Sequence, residues 1–210
     1  MPPMSDDLAT ETVAPLSSVL EAIAGRQSLI RFRPERPGED EIRVLLQAAV
    51  RAPNHHRNEP WRFVVIAGAA RERLGDAFAE CARAHLPEAA GEKKEAILAA
   101  ERAKAFRSPV VIVVACIRHE HPKAMWIEDL EATAAATQNL LIAAHALGLG
   151  AAWRTGNPAY DPDVKLKIGL HAEDDIVAFV HVGYPIPERP PLTARAHIDD
   201  VTRWEGWDSR

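Results

Sequence analysis

The sequence predicts an α+β domain, and three observations carry that reading. Two runs of apolar, mostly β-branched residues, Val110 to Ile117 and Ile176 to Val182, have the length and composition of buried strands. Segments with helical spacing or alanine-rich composition alternate with such runs, among them Asp40 to Val50 and Glu128 to Leu147. Prolines crowd Gly183 to Pro191, so the chain leaves its last strand as an extended tail, neither helix nor central strand.

Each element follows from its own residues. Residues 1–15 are polar and acidic, with neither the basic start nor the apolar centre of a secretion signal. A disordered extension is expected there, with residues 16–210 as one domain that ends in a C-terminal arm. A short helix is expected from about Leu16 to Ala24, with Ser17 or Ser18 as its cap and Gly25 as its stop. Arginines then crowd the stretch from Arg26 to Pro37, RQSLIRFRPERP. A guanidinium fork and a serine hydroxyl are the donors a phosphate takes, and solvated charge is the alternative.

The helix Asp40 to Val50 has apolar residues at Ile42, Leu45, Leu46, Ala49 and Val50. It feeds RAPNHHRNEPWRF, Arg51 to Phe63, whose end begins a strand, Trp61 to Ala67. The pairs Pro53-Asn54 and Glu59-Pro60 account for the change of direction. They do not account for the density of hydrogen-bonding side chains, and loops of this kind are where binding groups concentrate. Ala69 to His85 and Glu88 to Phe106 read as a solvent-facing helix pair with few large apolar anchors, a candidate cover for a functional site. Ser108-Pro109 breaks the chain before the strand at Val110.

His119-Glu120-His121 offers two imidazoles, but a zinc site needs three or four convergent ligands, so a polar loop is expected. His55-His56 is read the same way, because adjacent side chains on an extended segment point apart. In the helix Glu128 to Leu147, Gln138, Asn139 and His145 are expected as buried polar groups bonded to neighbouring backbone. Gly148 stops that helix, and a short strand from Gly150 finishes in Trp153-Arg154-Thr155-Gly156. Asp161 to Ile168 is a small helix with Pro162 in its first turn.

Composition narrows the function. The 210 residues are 47% hydrophobic and 26% charged, which suits one compact domain or one subunit of a tight oligomer. With 25 basic against 30 acidic residues the net charge is −5, and no basic face marks a nucleic-acid binder. Ala132 to Ala152 is apolar, yet it contains Gln138, Asn139 and His145 and reads as a buried helix rather than a membrane span. Cys81 and Cys116 have no paired spacing and no metal pattern, so no metal is expected and a reducing cytoplasm suits them.

Four separated segments resemble the nitroreductase family of flavin enzymes, in the family's order. They are Arg26, Ser28 and Phe32; Ala52-Pro53 with Pro60-Trp61-Arg62-Phe63; the helix QNLLIAAHALGLG leading into WRTG; and GYPIPERPP. The resemblance implies a mainly antiparallel central sheet flanked by helices, built as an intertwined homodimer whose tail wraps the partner. It implies non-covalent FMN at the subunit interface. By that resemblance Arg26, Gln27 and Ser28 take the phosphate and ribityl end, and Arg51 and His55 approach from the other subunit. Trp153, Arg154 and Thr155 reach the flavin ring or ribityl chain, and Arg195 is a further phosphate candidate. Ala143, Ala144, His145, Ala146, Leu147 and Gly148 are candidates for the NAD(P)H side.

The implied activity passes two electrons from NAD(P)H to a small organic acceptor, such as a nitroaromatic or quinone, in a ping-pong cycle with no side-chain nucleophile. The alternatives are a flavin store or sensor without turnover, and a dehalogenase or oxygen-using relative. The chain departs from the family at Ile30, where many members carry a basic residue, and at Arg57 and Glu59, where Asn and Gln are common.

Overall fold

The computed structural model describes residues 18–87, 91, 93–118, 123–188 and 190–207; the expected extension at 1–15 and the His119-Glu120-His121 loop lie outside them. Four strands, β1 (Trp61–Ala67), β2 (Val110–Cys116), β3 (Gly150–Arg154) and β4 (Asp175–Gly183), form an antiparallel sheet in the order β1-β2-β4-β3. The order follows from burial. Every residue of β2 is buried, as its unbroken Val and Ile run requires of a central strand. The shorter β3, and β1 with its exposed Arg62 and Val65, take the edges.

Helices cover both faces. On one face lie α2 (Glu39–Ala49) and the 21-residue α5 (Trp126–Ala146). They pack Ile42, Leu45, Ala136, Leu140 and Leu141 against Val110, Ile112 and Val114 of β2 and Val180 and Val182 of β4. On the other face α3 (Ala70–His85), with α6 (Asn157–Tyr160) and α7 (Pro162–Lys167), buries Leu74, Phe78, Ala159 and Val164 against Val111, Val113 and Phe179. The expectation that Ala69 to His85 is solvent-facing is therefore corrected. Leu74, Ala77, Phe78 and Cys81 recur at helical spacing and form a core stripe, which the charged residues between them disguise.

The second helix of that pair, α4 (Lys93–Ala103), buries only Leu98 and does face outward. It lies close against α3, because a Cβ on Gly75 would meet the Arg102 carbonyl oxygen at 2.9 Å. The first helix, α1 (Ser18–Gly25), buries no residue in this chain although Val19 and Ile23 are apolar. After it, Ser28 bridges to Ala151 of β3, and Phe32 bridges to Pro185. No described helix is long and apolar enough to cross a membrane.

Candidate functional site

The first group of expected site residues gathers along β3. Arg26 and Gln27 are half-buried and Ser28 is exposed, and the parallel bridge to Ala151 fixes them beside that edge strand. The C-terminal end of α5 supports them from below: a Cβ on Gly25 would meet His145 Nε2 at 2.8 Å, so a larger residue there would have to displace the imidazole. Gly148 then turns the chain into β3 with a φ of 76°, a conformation that glycine adopts without strain. The expected nucleotide-side segment thus includes the last turn of α5 and this reversal, with Ala144 buried and Leu147 and Gly148 exposed.

Strand alternation divides the next three. Trp153 packs toward the α5 face and donates its indole N–H to the Val177 carbonyl at 3.0 Å. Arg154 and Thr155 instead line a cleft of about 520 Å³ on the α3 face, with Phe78, Lys104, Arg107 and His181. Arg195 lies exposed on the extended tail.

The second group is far from the first. Arg51 follows α2 directly, and His55 Nδ1 lies 3.5 Å from the carboxylate of Glu128, in the first turn of α5. Glu128 and His145 mark opposite ends of that helix, about 25 Å apart at 1.5 Å per residue. One chain therefore does not bring Arg26–Ser28 together with His55. The loop that carries His55 is strained: His56, Arg57 and Glu59 have φ of 52°, 56° and 46°, left-handed values that non-glycine residues rarely adopt. Two asparagines hold it there. Asn54 Oδ1 accepts the Glu59 N–H at 3.0 Å, and Asn58 Nδ2 donates to the buried Asp129 carboxylate at 3.2 Å. Strain maintained in this way is a mark of a binding or catalytic loop.

Of the polar residues expected inside α5, Asn139 donates to the Ala48 carbonyl at 3.3 Å as expected, whereas Gln138 is exposed. Sequence reasoning missed His181. It is a lone polar residue in an apolar strand, 6% exposed, and that break in composition is its only signal. Ser108 Oγ donates to the Val110 carbonyl at 2.7 Å, so the His181 Nδ1–H, 2.9 Å away, must be the donor to that oxygen. Burial, with Arg107 and Arg154 nearby, lowers the His181 pKa to about 4 and keeps the ring neutral. Its Nε2 then keeps a lone pair on the wall of the cleft.

A family model matches these elements in one block. The nitroreductase family model covers residues 23–184, which include both groups of residues apart from Arg195. This chain belongs to the nitroreductase family. A relative from Escherichia coli (strain K12), named "Putative NAD(P)H nitroreductase YdjA", is 34% identical over 167 residues, spanning 79% of this chain and 87% of the relative. The crystal structure of a nitroreductase-like family protein from Bacillus cereus shares 30% identity and a TM-score of 0.76, covering 92% of this chain and 99% of that one. A Desulfovibrio desulfuricans structure, titled as a "putative nitroreductase in complex with fmn", has 25% identity and a TM-score of 0.69, covering 92% and 100%. The antiparallel sheet with helices on both faces is this family's fold.

Proposed function

We propose that this nitroreductase-family chain is an FMN-dependent oxidoreductase, working as a homodimer, that passes two electrons from NAD(P)H to a small organic acceptor. The observation that carries this reading is the separation of the two residue groups along α5. Arg26, Gln27 and Ser28 at one end and Arg51 and His55 at the other complete one site only when two chains lie side by side with their α5 helices opposed. Family membership and the FMN in the Desulfovibrio relative favour FMN as the ligand, and the relative's name favours NAD(P)H.

The donor set fits such a ligand. Among the described residues no acidic side chain pairs with Arg26, Arg51, Arg154 or Arg195, so their charge is available to an anion. Arg26 and Ser28 suit a phosphate monoester, with Arg195 as a further cation, and Gln27 suits the polyol beside it. Trp153 supplies an apolar wall from the α5 face of β3, and Arg154 and Thr155 supply a cation and a hydroxyl from the α3 face, so a ring or ribityl chain at this strand end is reached from both faces. Arg51 and His55 of the partner loop would close the site from the second chain. The last turn of α5, Ala143 to Gly148, is assigned to the nicotinamide nucleotide.

FMN, when bound, would supply the two-electron redox chemistry. The chain's own part would be to hold the ring and to place cationic groups near it. The apolar Val19 and Ile23 of α1, and Leu192, Ile198, Val201, Trp204 and Trp207 of the arm, are exposed in the single chain and provide surface for the second.

The test is anaerobic. Purified yellow protein mixed with NADPH or NADH under argon should lose its flavin colour, and a nitroaromatic or quinone should restore it. Colour unchanged by either nucleotide would favour a flavin store or sensor instead.

A further inference from the structure

The large cleft carries a second cluster that the flavin reading does not use. Cys81 and His85 stand one helical turn apart on α3, and Asp161 meets them from the turn between α6 and α7. The thiol, a ring nitrogen and a carboxylate oxygen all lie within 4.8 Å of one another. Each is oriented by bonds behind it. His85 Nδ1 lies 2.7 Å from the Cys81 carbonyl and donates there, so Nε2 keeps the lone pair. Asp161 Oδ1 accepts the N–H groups of Asp163 and Val164 at 2.9 and 3.1 Å, which leaves its other oxygen for a further partner. Burial raises the Cys81 pKa to about 12, and the thiol's hydrogen bond to Asp161 acts in the same direction.

We propose that Cys81, His85 and Asp161 form a site for a divalent transition metal of the zinc class. Sulfur, imidazole nitrogen and carboxylate oxygen are the donors such a borderline-soft ion takes. A histidine whose other ring nitrogen donates to a backbone carbonyl is the usual metal-binding arrangement. In a tetrahedral site ligand atoms stand roughly 3.3–3.8 Å apart, given metal–ligand bonds of about 2.0–2.3 Å. Closing the group from 4.8 Å needs a shift of about 1–1.5 Å, which a small side-chain rotation of His85, exposed at the last turn of α3, would supply.

Three protein ligands leave a fourth position. Cys81 and His85 both line the cleft, so that position is open to water or to a donor atom of a small ligand within it. The exchange balances simply. The ion displaces the thiol proton, which leaves to solvent, the Cys81 sulfur bonds the metal, and Asp161 exchanges its thiol hydrogen bond for a metal bond; nothing is oxidised or reduced. An ion there would tie α3 to the segment that follows Arg154 and Thr155, the opposite wall of the same cleft.

Metal binding to the full chain, stripped with a chelator and then titrated with Zn²⁺ or Co²⁺, tests this without recourse to activity or to the flavin. One Zn²⁺ should bind per chain with release of a proton. Co²⁺ should produce a thiolate-to-metal charge-transfer band. Cys81→Ser should abolish that band, and His85→Ala, an exposed position, should weaken binding by at least about tenfold. Cys116→Ala should keep both. A Co²⁺ spectrum without the band, or Zn²⁺ affinity unchanged in both Cys81→Ser and His85→Ala, would overturn the proposal and reduce the trio to a thiol–carboxylate hydrogen bond. If Cys81→Ser does not fold, the His85→Ala titration decides alone.

Discussion

His181 is a titratable side chain held away from water inside β4. Its pKa of about 4 lies below the ordinary 6.5, so the folded chain refuses a proton that the unfolded chain accepts. Above about pH 6.5 the imidazole is neutral in both states and contributes nothing to pH dependence. As pH falls from about 6.5 towards about 4, stability is lost at up to about 1.4 kcal/mol per unit, roughly 3 kcal/mol across the window. Urea unfolding at several pH values should show that loss in the wild type and a shallower one in His181→Gln; identical slopes would mean that His181 is not the group responsible. Arginines differ among themselves in the same way. Arg26, fixed beside β3, should matter to FMN, whereas Arg36, exposed before α2, should not. Arg26→Ala should weaken FMN by about 1.5–3 kcal/mol, the worth of a charged hydrogen bond, and Arg36→Ala by less than about 0.5 kcal/mol. Equal FMN retention by the two variants through dialysis would remove Arg26 from the phosphate.

Among the elements, the loop from Asn54 to Pro60 is the most demanding of its sequence, because three left-handed non-glycine residues depend on two asparagine side chains. Asn58→Ala strips the buried Asp129 carboxylate of its amide donor and should cost about 1–3 kcal/mol, measurable by denaturant unfolding. A change within about 0.5 kcal/mol would mean that the loop is held by other contacts. Legibility varied along the chain for physical reasons. The strands at Trp61, Val110 and Ile176 were legible because β-branched runs have few other stable forms, and α5 because its alanine-rich run is long. The role of α3 was not, since its stripe at Leu74, Ala77, Phe78 and Cys81 is diluted by alanine and charge. Neither was α6, a single turn, nor the meeting of Cys81 and His85 with Asp161, which depends on how α3 crosses the sheet. Local pattern specifies an element; which distant side chain faces it depends on packing that one sequence does not display. For the proposed flavin-binding residues the family motifs, rather than periodicity, point to Arg26 and Trp153.

At the scale of the whole molecule, the single chain leaves β1 paired on one side only among the described strands, and leaves α1 and the arm with apolar surface exposed. Such an edge is a liability unless it is covered. Removing the arm after Pro187 should therefore weaken the proposed homodimer, and analytical ultracentrifugation should detect more monomer than for the full chain at the same concentration. A truncated chain that remains fully dimeric would assign the interface to the helices alone. If each flavin site is completed by two chains, as proposed, a heterodimer of complementary variants reveals it. Arg26→Ala/Ser28→Ala and Arg51→Ala/His55→Ala chains should each lose FMN as homodimers. Purified through two different tags as a heterodimer, they rebuild one site from the intact halves, while the other site carries every substitution. One FMN per heterodimer is expected, bound at wild-type affinity. A heterodimer as empty as its two parents would place both residue groups in single-chain sites and contradict it.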